Sequence, residues 1–141
     1  MRRVIPAARD RVYRAFLEPE VLRRWMSPPG YTGTVATVEP HAGGRFSVEF
    51  VDSLGDRHGL EGVIRELVAG ERIVLDLAFV AYAENLREGT EVTITFADAP
   101  GGTEVRLEQE RITLVGPFTP ESVDAGWRGT LDKLAAIADE L

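Results

Sequence analysis

Two hydrophobic periodicities divide the chain. From Gly33 to Glu110, apolar and polar residues alternate, most clearly in the segments 73–79, 92–96 and 104–108. Such alternation is typical of antiparallel strands with one face on the core and one in water. Turn residues such as Gly43-Gly44 separate the alternating runs. The pattern therefore predicts a meander of six strands in this part of the chain.

The first thirty residues predict a short strand and two short helices. A strand over residues 2–5 is ended by Pro6, and apolar residues at helical spacing begin at Ala8. Pro19 suits the first turn of a second helix, and the residues Pro-Pro-Gly at 28–30 stop it. These elements precede the meander.

A long amphipathic helix is predicted at the end of the sequence. Thr119 and Pro120 are suited to its cap and its first position. Its apolar face is formed by Val123, Trp127, Leu131, Leu134, Ala138 and Leu141. A sheet with one apolar face needs a cover, and this helix supplies it. We expect an α+β domain in which a curved antiparallel sheet of about seven strands surrounds the final helix.

Composition narrows the class of protein. The 141 residues are 44% hydrophobic and 28% charged, with no cysteine and a net charge of −7. These values predict one soluble globular domain over residues 1–141, cytoplasmic, without disulfides or membrane insertion. The negative charge argues against a nucleic-acid partner. An early cluster of arginines at positions 9, 11, 14, 23 and 24 is read as solvated helix faces, with an anionic partner as the alternative.

The sequence contains no signature of metal or hydrolytic chemistry. His41 and His58 each lie beside a glycine-containing turn and lack a second ligand at metal-binding spacing. We expect both to be exposed, and we expect no metal and no cofactor. No serine occupies a G-x-S-x-G elbow, and no glycine-rich phosphate loop is present.

Two glycines flank the tryptophan of the final helix. Each glycine inside a helix costs about 1 kcal/mol relative to alanine, so tertiary structure must compensate for it. Gly126 is expected to permit close approach to the sheet, and Gly129 to permit a bend or leave free volume beside Trp127. Trp127 is then either the core anchor of the helix or one wall of a ligand cavity.

A ligand held between sheet and helix would contact the inward rows of both. Gln109 continues the inward row of Val105 and Leu107, and an inward amide needs a partner. A cavity of about 300–1,000 Å³ is usual for such a site. The candidate ligand-binding residues are Trp25, Leu75, Leu77, Phe79, Tyr82, Ile94, Phe96, Leu107, Gln109, Val123, Trp127 and Leu131.

Several phrases in order along the chain resemble a known family. They include Ile-Pro-Ala at 5–7, the segment 19–25 ending in Trp25, Val-Thr-Ile-Thr-Phe at 92–96, and Ala-Gly-Trp at 125–127. The chain resembles the Hsp90-ATPase-activator-homologue (AHSA1-like) branch of the START/Bet v 1-like (SRPBCC) superfamily over nearly its whole length. The resemblance implies a helix-grip fold and a cavity for lipids, polyketides or other hydrophobic molecules.

Three functions remain open at this point. The leading hypothesis is binding of a small hydrophobic ligand, lipid-, polyketide- or aromatic-like, without catalysis. The first alternative is a cyclase or hydrolase on the same fold, with Glu110 or Asp76 as acid or base. The second is a stress-related interaction module resembling Hsp90 co-chaperone domains, although co-activation belongs to larger relatives with an additional domain. A homodimer is possible under any of them.

Overall fold

A computed structural model describes residues 1–81, 86–110 and 120–141, without the side chains of residues 86–88 and 120. The described strands and helices follow one another in the predicted order. They are β1 (Arg2–Ile5), α1 (Arg9–Ala15), α2 (Pro19–Trp25), β2 (Thr32–Val38), β3 (Arg45–Val51), β4 (Arg57–Val68), β5 (Arg72–Ala81), β6 (Leu86–Ala99), β7 (Gly102–Glu110), α3 (Pro120–Ala136) and a 3-10 turn (Ala138–Glu140).

All seven strands form one antiparallel sheet. Its order is β1-β7-β6-β5-β4-β3-β2, so β2 to β7 are a meander and the first strand joins the last one. The predicted meander is confirmed. Register follows the alternation of the sequence: Leu75 lies opposite Val92, and Ile94 lies opposite Leu107. Their side chains are all buried on the same face of the sheet.

The core lies between this face and the helices. Trp127, Leu131 and Leu134 of α3 belong to the same buried cluster as Phe46 and Ile94 of the sheet. Each such side chain removed from water contributes about 1.5–3 kcal/mol. Because the curled sheet and α3 bury each other's apolar faces, the α+β helix-grip architecture is confirmed.

The two short helices close part of the core with aromatic contacts. The Phe16 ring lies edge-on to Trp25 at a centroid distance of 4.6 Å and to Phe96 at 5.3 Å. The indole N–H of Trp25 donates to the carbonyl oxygen of Ala15 at 3.1 Å, and its side chain is fully buried. Trp25 thus joins α1 to α2.

Candidate functional site

A cavity of about 180 Å³ lies between the sheet and α3. Its walls come from the sheet, from α3 and from the loop that joins α2 to β2. The lining residues are Pro28, Tyr31, Leu60, Leu77, Phe79, Gly89, Thr90, Gln109, Ser122, Val123, Gly126, Trp127 and Thr130. The volume is smaller than the expected 300–1,000 Å³.

The helix contributes one stripe of residues to the cavity. Trp127 lies four residues after Val123 and three before Thr130, and Gly126 lies three residues after Val123, which places all four on one face of α3. Among the described residues, a Cβ atom built on Gly126 would have no atom within 4 Å outside its own helix. The missing side chain at position 126 therefore leaves the free space beside Trp127.

Gly129 allows another segment to approach the helix closely. A Cβ atom at this position would lie 2.1 Å from Cγ of Pro29, so the proline ring occupies that space. The roles expected for the two glycines are exchanged: Gly129 permits the close approach, and Gly126 leaves the volume. The close neighbour of Gly129 is a loop and not the sheet.

The sheet wall is apolar in its middle and polar where the strands approach their ends. Leu60, Leu77 and Phe79 provide the apolar part. Thr90 continues the inward row that includes Val92, and Gln109 lies opposite Val92. The inward direction expected for Gln109 agrees with this position. No hydrogen bond of the Gln109 amide is found within the described residues.

The loop wall is tied to α3 by the single lysine of the chain. Nζ of Lys133 donates to Oγ of Ser27 at 2.8 Å and to the carbonyl oxygens of Pro28 and Tyr31, both at 3.0 Å. Burial lowers the pKa of Lys133 below its ordinary value. Oγ1 of Thr130 adds a hydrogen bond to the carbonyl oxygen of Ser27 at 3.2 Å. Tyr31 is thereby held at the cavity from its backbone.

A histidine lies directly behind the loop wall. Nε2 of His58 is 3.0 Å from Oδ2 of Asp52, and only 12% of the His58 side chain is exposed. Its ring meets Tyr31 edge-on at 4.9 Å and lies 6.0 Å from the ring of Phe79. The expectation of an exposed turn histidine is wrong for His58, because β4 begins at Arg57 and carries the ring inward. It holds for His41, which is exposed.

The carboxylate that meets this histidine is fixed on both oxygens. Oδ1 of Asp52 accepts the backbone N–H groups of Leu54 at 2.9 Å and Asp56 at 3.0 Å. The hydrogen bond from His58 is the largest cause that lowers the pKa of Asp52, and these two backbone bonds add to it. The β3–β4 turn therefore presents an ionised carboxylate to His58.

The predicted contact residues separate into three groups. Leu77, Phe79, Gln109, Val123 and Trp127 line the cavity. Tyr82 lies outside the described residues. The remaining predicted residues lie in the packed core and do not line the cavity: Trp25, Leu75, Ile94, Phe96, Leu107 and Leu131.

Sequence reasoning missed several cavity residues. Parity with Val92 would have identified Thr90, and the spacing from Trp127 would have identified Thr130. Pro28 and Tyr31 gave no such signal, because nothing periodic shows where a loop docks.

The groups considered for acid or base chemistry lie away from this cavity. Asp76 forms an ion pair with Arg65 at 2.9 Å, and Glu110 is exposed. Glu110 lines a second hollow of about 440 Å³ between β7 and α3, together with the acidic residues Glu108 and Asp124. An apolar ligand in that hollow would bury these carboxylates without a partner, so the hollow is poorly suited to one.

The early arginines have partners within the molecule. Four of them form ion pairs, and Arg11 donates to the carbonyl oxygen of Leu141 at 3.0 Å. The four pairs are Arg9–Asp98, Arg14–Asp10, Arg23–Glu20 and Arg24–Glu140. This pairing favours the interpretation as helix faces over a site for an anionic partner.

The described residues lack two kinds of feature. In residues 1–81, 86–110 and 120–141, no group of three or more His, Cys, Asp or Glu side chains is arranged to hold a metal ion. Over the same residues, no helix has the length and apolar composition that a membrane span requires.

Solved structures share this architecture over nearly the whole chain. A protein from Chromobacterium violaceum is 34% identical with a TM-score of 0.81, covering 98% of this chain and 94% of that one. An AHSA1-like protein from Aeromonas hydrophila is 26% identical with a TM-score of 0.76, covering 99% of this chain and 90% of that one. A protein from Rhizobium leguminosarum is 22% identical with a TM-score of 0.85, covering 100% and 93%.

The family is shown by the sequence as well. No curated protein matches the chain. The family model described as Activator of Hsp90 ATPase homolog 1-like protein matches residues 6–139. The earlier resemblance is thereby confirmed, and the chain belongs to the Activator of Hsp90 ATPase homolog 1-like family.

Proposed function

We propose that this protein binds a compact apolar molecule in the cavity between its curved sheet and α3. The observation that carries the proposal is the unfilled volume of about 180 Å³ beside Gly126 and Trp127. Protein interiors are close-packed, and voids larger than a water molecule are few. A space kept open by a glycine inside a helix, at a cost of about 1 kcal/mol, is a feature that ligand binding explains.

The size and walls of the cavity indicate the class of ligand. An engineered apolar cavity of about 150 Å³ accepts benzene, so a volume of about 180 Å³ suits a molecule built around one ring. Leu60, Leu77, Phe79, Val123 and Trp127 offer it apolar contact. We propose a small aromatic or alicyclic ligand rather than a long lipid chain.

The alternative of a cyclase or hydrolase has less support. An acid or base must reach the reacting atoms of a bound substrate, and neither Asp76 nor Glu110 lines this cavity. The alternative of an interaction module has no particular surface in its favour among the described residues.

The test fills the cavity from α3. Gly126→Leu places a side chain where a Cβ has no neighbour within 4 Å in the part of the chain that the structure describes. We expect this variant to fold and to bind toluene more weakly than the parent by more than about tenfold, because the volume is occupied. For the parent, toluene at ten times its Kd should raise the free energy of unfolding by about 1.4 kcal/mol, measured by urea unfolding with and without toluene.

Ala125→Leu is the matched control. Ala125 precedes Gly126 in α3 and is exposed, so the same side chain is added outside the cavity. This variant should bind toluene like the parent. Equal binding by both variants and the parent would show that toluene occupies another place, and the proposal would be abandoned.

A further inference from the structure

The hydrogen-bonding state of His58 follows from its partner. Asp52 is an ionised carboxylate that can only accept, so the proton of the His58–Asp52 hydrogen bond lies on Nε2 of His58. In the neutral imidazole the other nitrogen, Nδ1, then carries a lone pair that accepts hydrogen bonds. The Asp52 contact thus fixes the tautomer of the ring.

Nδ1 of His58 is buried and makes no hydrogen bond in the part of the chain that the structure describes. Buried polar groups in folded proteins are hydrogen-bonded in the large majority of cases. The carboxylate of Asp52 orients the imidazole, and the second ring nitrogen is available to accept a hydrogen bond from a ligand.

The position of the ring connects it to the cavity. His58 precedes Leu60 by two residues on the inward row of β4, and Leu60 lines the cavity. The two aromatic rings against His58, those of Tyr31 and Phe79, are also cavity walls. The imidazole therefore lies one side chain beyond the cavity.

The ring of Tyr31 lies between the cavity and His58. It lines the cavity and meets the His58 ring edge-on. Tyr31 belongs to a loop, its backbone carbonyl oxygen accepts a hydrogen bond from Lys133, and its side chain is half-buried. A ligand in the cavity reaches Nδ1 of His58 only if this ring moves aside, and that movement is part of the inference.

We propose that His58 is the polar end of the ligand site and accepts a hydrogen bond at Nδ1 from a hydroxyl group of the ligand. This inference rests on the proposed function and makes it more specific, because it names a neutral one-ring molecule with a hydroxyl group, such as a phenol. Asp52 is a positioning residue, since it holds the tautomer that leaves Nδ1 free to accept.

The first test uses the unaltered protein. The side-chain ¹⁵N resonances of its two histidines are recorded during titration with p-cresol and, separately, with toluene. We expect p-cresol to shift the Nδ1 resonance of His58 in the direction of an accepted hydrogen bond, and toluene to leave it nearly unchanged. His41 is exposed and serves as the internal control, since neither molecule should move its resonances.

The second test removes the acceptor and keeps a ring. In His58→Phe the new ring joins neighbours that are already aromatic, namely Tyr31, Phe50 and Phe79. The ratio of the toluene Kd to the p-cresol Kd is measured for the parent and the variant, so that the hydration of each molecule cancels. We expect the ratio to fall about three- to tenfold in the variant, the value of one hydrogen bond.

The outcomes separate this inference from the function on which it rests. Binding of toluene with no preference for p-cresol and no shift at His58 would overturn the role of His58 and leave the apolar site standing. A preference for p-cresol that persists in His58→Phe would overturn it as well. Failure of both molecules to bind the parent would overturn the apolar site and this inference together.

Discussion

Two glycines three residues apart in α3 have opposite surroundings. No described residue comes within 4 Å of a Cβ built on Gly126, apart from its own helix, whereas Gly129 faces the ring of Pro29. The intrinsic helix propensity gained by a change to alanine is the same at both, about 1 kcal/mol. Any difference between the two substitutions therefore reports packing and not propensity.

We predict that Gly126→Ala stabilises the protein and Gly129→Ala destabilises it. The first gains up to about 1 kcal/mol. The second must push aside a rigid proline ring 2.1 Å from the new Cβ, so overpacking outweighs propensity and leaves a net loss of about 1–2 kcal/mol. Urea unfolding of the two variants beside the parent measures both values, and effects of equal sign would contradict the assigned roles.

A second prediction at the scale of residues concerns acid. The pKa of Asp52 is lowered in the folded protein, first by its hydrogen bond with His58. Its contribution to the free energy of unfolding is therefore complete above the ordinary pKa of about 3.9 and is lost as pH falls through the lowered value. We expect Asp52→Asn to lose less stability than the parent between about pH 6 and pH 3.

The control for this experiment is Asp56→Asn. Asp56 lies in the same exposed turn, and its backbone N–H, not its side chain, bonds to Asp52. This variant should keep the acid dependence of the parent. If urea unfolding shows the same dependence for Asp52→Asn as for the parent, the hydrogen bond with His58 does not hold the carboxylate as described.

Among the elements, α3 is joined to the rest of the molecule by polar as well as apolar contacts. Its apolar face meets the sheet, and its Lys133 meets the loop over residues 27–31. Three hydrogen bonds from one ammonium group hold a loop that has no regular structure of its own. This loop carries Pro28 and Tyr31 to the cavity. Through Lys133, α3 therefore also positions the part of the cavity wall that the loop provides.

We predict that Lys133→Met destabilises the protein by about 1–3 kcal/mol. Methionine keeps the unbranched stem but leaves the carbonyl oxygens of Pro28 and Tyr31 without this donor. Arg128→Met is the matched control on the same helix, because Arg128 is exposed and its ion pair with Asp124 lies at the surface, where such pairs contribute little to stability. Urea unfolding compares them, and equal losses would mean that the lysine does not secure the loop.

At the scale of the whole molecule, the order of strands and helices was predictable because a one-sided sheet must place its apolar residues on one face. Val92, Ile94 and Phe96 alternate in the sequence and are all buried in the structure. The alternation does not hold everywhere: Ser47 alternates with the buried residues Phe46 and Val48 of β3, yet it is buried as well. The alternation of apolar and polar residues thus predicted the strands, but it did not predict which side chain is exposed at every position.

The site was predictable only in part, for a related reason. Val123 and Trp127 follow from helical spacing, and Gln109 follows from parity along β7. Trp25, predicted at the site, lies in the packed core, because a tryptophan in a filled core and one at a cavity have the same sequence signal. Tyr31 and His58 were missed because their positions depend on how a loop and a turn dock against the sheet.

The pairing of β1 with β7 has a consequence for how the chain acquires this structure. The amino group of Met1 bonds to the carbonyl oxygen of Leu107, 106 positions away, and Arg2 lies opposite Arg106. Closing so long a segment is entropically costly, and chains dominated by distant partners fold slowly, in about milliseconds to seconds. The hairpins of the meander can form early from adjacent segments, whereas the N-terminal strand must wait for the last one to exist.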